Sequence, residues 1–156
     1  MASMLGKLLT DACPEVKSKL SEFLISLSQS LSKSLGPHSK SIIVSLSLNL
    51  KHAHNKIRKL TLQAITDVLL CENAGKYFED ALPMLKLMTN DKNYEVRKTF
   101  YACVYKMICN FNIIYLRKYE HYLVLFLMTG LSDEKGDIQM ESSEYLEQAG
   151  KYRLVR

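Results

Sequence analysis

The 156-residue chain has no tryptophan, three prolines, six glycines and four cysteines. With so few turn-forming residues, the segments between them must be long, and long segments in a soluble chain point to helices. Cys13, Cys71, Cys103 and Cys109 make no C-x-x-C pair and lack the close spacing of a secreted scaffold. They read as small buried hydrophobes in a reducing compartment, with the cytoplasm as the default. Long apolar runs are missing too. Tyr122 to Leu131 is about half of what spans a bilayer, and MASMLGKLLT reaches Asp11 before it could form a signal-peptide core. No membrane partner is expected. A glycine-rich phosphate loop is absent, and the adjacent pair Glu79-Asp80 faces two directions on a helix, a poor acid/base couple. Catalysis, cofactors and small-molecule substrates therefore find no support in the residues.

What the chain does have is 47% hydrophobic residues, 24% charged ones and a formal charge of +5, enough apolar content for a real core. The charge is uneven: residues 1–60 carry nine Lys/Arg against three acids, and residues 61–156 carry twelve against thirteen. That bias is too mild for a nucleic-acid binder, and no aromatic residues interleave with it.

The organising feature is a repeat. LKHAHNKIRKLTLQAITDVL is echoed by TNDKNYEVRKTFYACVYKMI, with Ile57-Arg58-Lys59 in the place of Val96-Arg97-Lys98. The hydrophobic anchor recurs at Val16, Ile57, Val96 and Ile138, spaced by 41, 39 and 42 residues. A period near 40 predicts helical-pair repeats. Counted from the anchor, offsets 3, 4, 7, 8, 11 and 12 give Leu60, Thr61, Ala64, Ile65, Val68 and Leu69 in one copy. In the next they give Thr99, Phe100, Cys103, Val104, Met107 and Ile108, again one face of a helix. The outer copies are looser: Lys19 and Phe23 fall on the stripe in the first, Glu141 and Gly150 in the last. An apolar segment precedes each anchor, so each unit reads as helix, turn, helix. SIIVSLSLNL alternates like a strand, yet it occupies a first-helix slot and is assigned helix. Ser18 to Ser47 holds eleven serines, read as a solvated face beside leucines 20, 24, 27, 31 and 35. Pro83 must kink its helix or delay its start.

The expected fold is all-α, a helical-hairpin solenoid of about four repeats in a right-handed superhelix. It forms one array over 1–156, with repeats near 1–35 (partial), 37–72, 75–112 and 115–152. The pattern resembles HEAT repeats. More closely, LKHAHNKIRKLTLQAI, NDKNYEVRK, KYEHYLVLFLMTGLSDE and EYLEQAGKY resemble the HEAT-repeat family of dynein axonemal assembly factors, of the factor 5 type, with His52-x-His54 as a shared peculiarity. That resemblance implies an internal portion of a longer solenoid: a non-enzymatic cytoplasmic factor that helps preassemble axonemal dynein arms with chaperones and co-chaperones, before transport into cilia or flagella. It implies protein partners, dynein chains among them, and no individual binding residue.

Individual residues still sort by their slots. Five residues before each anchor stand Asp11, His52, Asp91 and Asp133; one residue after it stand Lys17, Arg58, Arg97 and Gln139. In HEAT solenoids such an Asp can accept hydrogen bonds from the Arg of its own or a neighbouring repeat, so Asp91, Arg58 and Arg97 are assigned to a structural ladder. The densest basic cluster, Lys51, His52, His54, Lys56 and Lys59 around Arg58, is the candidate contact for an acidic protein, against the equal alternative of a solvated turn. On the face lined by second helices, Lys59, Gln63, Lys98, Tyr101 and Tyr105 are the exposed candidates. A metal at His52 and His54 is disfavoured, because no Cys or acid follows at ligand spacing. The acidic run from Asp133 to Glu147 reads first as the polar outer face of a terminal repeat, and second as a docking face for a basic partner. The competing functional readings are a tubulin-binding array and a generic transport or phosphatase scaffold.

Overall fold

A computed structural model describes residues 2–155, so the expected limits of the array, Met1 and Arg156, lie outside the described residues. Its regular elements are helical: α1 (Ala2–Leu9), α2 (Pro14–Ser30), α3 (Ser32–Leu35), α4 (Ser39–Asn49), α5 (Asn55–Leu69), α6 (Phe78–Met88), α7 (Tyr94–Asn110), α8 (Ile113–Gly130) and α9 (Gly136–Val155). Short 3₁₀ turns at Gly36–His38 and Gly75–Tyr77 lead into α4 and α6. The chain divides into two compact units, Met1–Leu85 and Lys86–Arg156. No helix among the described residues is long and apolar enough to cross a membrane.

In the first unit α1 packs on α2 and α4, and α5 packs on both α2 and α4, so one helical hairpin lies against the next. The segment that alternates like a strand is α4. A helix of 3.6 residues per turn buries Ile42, Ile43 and Leu46 and leaves Val44 and Leu48 46% and 61% exposed. Two of the five alternating hydrophobes thus face outward, and the repeat slot rather than the local period decides the conformation. The anchor Ile57 is buried, as are Thr61, Ala64, Ile65, Val68 and Leu69 at its predicted offsets. In α2 the stripe narrows to Leu20, Leu24 and Ser28, and Phe23 is 52% exposed.

The serines do not form a solvated face throughout. Ser21, Ser28, Ser39 and Ser47 are buried. Three of them satisfy their hydroxyls locally: Ser28, Ser39 and Ser47 donate to the carbonyls of Leu24, Leu35 and Ile43 four residues back. A serine that bonds backward in this way behaves as a small core residue. The leucine series also breaks, because α2 ends at Leu31, whose φ of −131° and ψ of 43° leave the helical region. Pro83 lies inside α6, which starts at Phe78 directly after its 3₁₀ turn and runs on to Met88.

In the second unit α7, α8 and α9 each pack against the other two. Phe100 of α7 meets Phe126 of α8 edge to face, with ring centroids 5.2 Å apart. Gly130 closes α8 where the three helices converge. A Cβ there would stand 2.1 Å from Ser142 Oγ, 2.9 Å from Ser142 Cβ and 3.2 Å from Tyr101 Cε1. Ser142 Oγ is buried and, among the described residues, has no hydrogen-bond partner. Gly130→Ala is therefore expected to destabilise the protein by about 1–3 kcal/mol through overpacking. Ser142→Ala alone should be neutral or about 1 kcal/mol more stable, because it removes an unsatisfied buried hydroxyl. The double variant should recover part of the glycine loss. Urea unfolding midpoints at constant m-value check all three.

Candidate functional site

All four turns that lead into a second helix share one construction. The residue five before the anchor accepts the backbone N–H of the residue two further on: Asp11 from Cys13 at 2.8 Å, Asp91 from Asn93 at 2.9 Å and Asp133 from Lys135 at 2.9 Å. His52 does the same through ring Nδ1, taking the His54 N–H at 3.1 Å. Each is a side chain standing in for a backbone turn carbonyl, which ends three residues before helix position one of α2, α5, α7 or α9. In three of the four, the residue one after the anchor then reaches back six positions to the same turn. Arg58 donates to His52 O at 2.8 Å, Arg97 to Asp91 O at 2.7 Å and Gln139 to Asp133 O at 2.6 Å. Sequence reasoning missed this internal bond, although the constant six-residue separation of the two slots is its signature.

Between turns, the second unit holds one full rung. Arg97 Nε and an Nη lie 2.7 and 3.0 Å from the two carboxylate oxygens of Asp133, and the same Nη lies 3.0 Å from Glu134. The Arg97 and Asp133 side chains are 7% and 4% exposed. The bidentate fork keeps the guanidinium's pKa raised. Burial alone would raise the Asp133 carboxyl, but Arg97 and the Lys135 N–H outweigh it and hold the group below the usual carboxylate range. Tyr101, beside this pair, is pushed up to about 12 by burial and then by the Asp133 charge.

The first unit lacks that rung. Where Asp133 stands in the second, His52 stands here, and Lys17 cannot pair with it. Lys17 Nζ turns instead to the neutral Asn49 Oδ1 at 2.7 Å, and Asn49 Nδ2 donates on to Leu9 O at 3.1 Å. Burial first, and then the charges of Lys17, His54 and Arg58, keep the His52 pKa below its ordinary value. A neutral ring is also what an accepting Nδ1 requires. Around it Lys51, His54 and Lys56 are exposed, and Lys59 is half-buried.

The other candidates fare differently. Tyr101 is buried, only 2% exposed, which corrects the expectation of an exposed contact. The missing Cβ of Gly130 lets its ring sink against α8. Lys98 is ion-paired across α7 and α9, 2.9 Å from Glu141 and 3.5 Å from Asp137. Tyr105 stacks on Tyr145 at 4.7 Å and donates to Gln148 Oε1 at 2.7 Å. Gln63 is exposed. The rings of His52 and His54 lie 5.3 Å apart, tilted by 31°, and among the described residues no group of three His, Cys, Asp or Glu could hold a metal ion.

A family model described as dynein axonemal assembly factor 5-like, TPR repeats, matches residues 1–153. The chain belongs to that family. Its anchor spacing of 39 to 42 residues exceeds the 34 of a tetratricopeptide repeat and fits the HEAT and armadillo range. Comparison with curated proteins found no match. Among solved structures, a designed armadillo repeat protein is 22% identical with a TM-score of 0.68, over 94% of this chain and 63% of its own. A second, solved in complex with peptide (KR)4, is 21% identical with a TM-score of 0.68, over 95% and 63%. An engineered protein at 15% identity has a TM-score of 0.69, over 96% and 68%. These likenesses show the fold alone: an armadillo-like, all-helical repeat. The chain spans about 63% of the length of the designed armadillo proteins it matches.

Two outcomes test the rungs. Arg97→Ala, which strands Asp133, should cost about 3–5 kcal/mol in chemical denaturation, with Arg97→Lys in between because an ammonium cannot grip both oxygens. His52 has a lowered folded pKa, so its contribution is complete above the unfolded value near 6.5 and is lost as pH falls through the folded one. The melting temperature should therefore drop from pH 7 to pH 5. In His52→Asn, whose amide oxygen accepts the same N–H without titrating, that part of the drop should vanish.

Proposed function

We propose that this chain is a protein-binding stretch of a cytoplasmic factor that takes part in preassembling axonemal dynein arms before their transport into cilia or flagella. Membership of the assembly-factor family over residues 1–153 carries this reading. Its partners are dynein chains and the chaperones or co-chaperones that handle them, and the chain itself is not catalytic. Stacked helical hairpins support such a role physically, since they offer long, shallow faces built from many small contacts rather than one deep pocket. A designed armadillo repeat protein of similar fold, solved in complex with peptide (KR)4, supports a peptide segment as the form of partner.

The contact we assign is the basic turn of the first unit: Lys51, His52, His54, Lys56 and Lys59. Lys51 and Lys56 are exposed, and clustered cations accelerate association with acidic surfaces. Lys98 and Tyr105 take a secondary place because α9 already engages them. A tagged full-length protein should recover dynein chains or chaperones from cytoplasm, and its loss should leave cilia short of dynein arms. Recovery of neither class, with dynein arms intact after loss, would overturn the proposal. Co-sedimentation with microtubules in place of dynein chains would favour a tubulin-binding array.

A further inference from the structure

We infer that the turn between α4 and α5 is a docking site for an acidic–aliphatic segment of a protein partner, one carboxylate of which takes the place beside Lys17 and His52 that Asp133 takes beside Arg97. This rests on the reading of the chain as a protein-binding scaffold, and it names the chemistry of the partner.

Repetition within one chain carries the inference. In the second unit the cation that follows the anchor is closed by a carboxylate supplied by the following turn, at 2.7 and 3.0 Å. The corresponding position of the first unit holds His52, whose ring can accept the turn N–H but brings no negative charge. Lys17 is left on a neutral amide oxygen. Lys51, His54 and Lys56 surround the turn, and among the described residues none of these three has an ion pair. Lys17, Lys51 and Lys56 thus stand at or beside the turn whose counterpart in the second unit carries an anion.

The apolar half of the partner follows from α4. Lys40, Val44, Leu48 and Lys51 recur at helical spacing on one outward stripe. Val44 and Leu48 are 46% and 61% exposed, large hydrophobes on a helix whose other face is fully buried. The stripe leads into Lys51 and the turn. On the α2 side, Glu15 and Glu22 share a cleft with Lys19, His54 and Lys56; those two carboxylates oppose a long polyacidic tract and favour acids spaced by aliphatic residues. A nucleic acid is disfavoured for two reasons. The cations gather on one turn instead of tracking a phosphate backbone, and the exposed neighbours are aliphatic, not aromatic.

The test uses the 156-residue chain and a fluorescent twelve-residue peptide of four Glu-Leu-Ser triplets, followed by anisotropy. The wild type should bind it, and the same peptide with Gln for Glu should bind on the order of tenfold more weakly. Lys51→Glu should weaken binding by a similar factor. His52→Asp is the sharper variant: it supplies the carboxylate from within, so affinity for the Glu peptide should fall while the melting temperature rises, an outcome that unfolding cannot imitate. Leu48→Ser should weaken binding of both peptides. Undiminished binding to Lys51→Glu and His52→Asp, or no binding to the wild type, overturns the inference. So does tighter binding to a twelve-nucleotide single-stranded DNA or to phosphatidylserine vesicles. If the wild type binds the peptide and the variants lose it, while the wild-type full-length protein recovers neither dynein chains nor chaperones, the docking chemistry stands on its own. If His52→Asp changes nothing but those proteins are recovered, the scaffold role stands and this site falls.

Discussion

The buried guanidinium of Arg97 must be neutralised where it lies, and the geometry of the second unit follows from how that is done. Taking a charge out of water costs several kcal/mol unless its partners are well placed. Here they are: two carboxylate oxygens of Asp133, one of Glu134 and the carbonyl of Asp91. Asp133 can serve only because its own backbone is held by the turn it forms with Lys135, and because Gln139 fastens that turn from the other side. The turn sets the start of α9, and so the depth at which Ile138 and Ser142 enter the core. One charge pair therefore fixes register between helices whose apolar contacts alone would tolerate sliding.

The first unit applies the same rules with one part changed. His52 keeps the turn and gives up the charge. The helix still begins at Asn55, and the anchor Ile57 is still buried, which separates the two jobs that an aspartate does together elsewhere. Turn formation needs an acceptor two residues before the N–H, and an imidazole nitrogen suffices. Inter-turn closure needs a negative charge, and an imidazole cannot supply one. The Lys17–Asn49–Leu9 relay is the local substitute, built from a charged donor and neutral acceptors. It leaves that turn the more positive of the two.

Much of this was legible in the residues. The spacing of Val16, Ile57, Val96 and Ile138 predicts four second helices, and in the first three of them offsets 4, 8 and 12 are buried, because that period is a property of the helix itself; in the last only Ser142 is buried at these offsets. The helical slot of SIIVSLSLNL was likewise readable from its place in the period and not from its own alternation. Other features depend on what a neighbour does, and sequence spacing carries no record of that. Tyr101 looks like a surface residue until Gly130, 29 positions later, opens room for it. Lys98 looks available until Asp137 and Glu141 turn towards it. Ser28, Ser39 and Ser47 look like surface residues until each finds the carbonyl four residues back. The slots of the ladder could be named in advance, but which slot bonds to which could not, because that depends on the cation that a turn's surroundings bring within reach.

A repeat fold converts such differences into function at small cost. In a globular core an unpaired charge destabilises the whole domain. In stacked hairpins each rung closes locally, so one rung can be left open while the next holds the register. The free energy that an internal carboxylate would have contributed to folding is then available to whatever supplies one from outside. Stability and affinity at that turn are thereby linked in opposite directions: any change that completes the rung from within removes the reason for a partner to complete it from without.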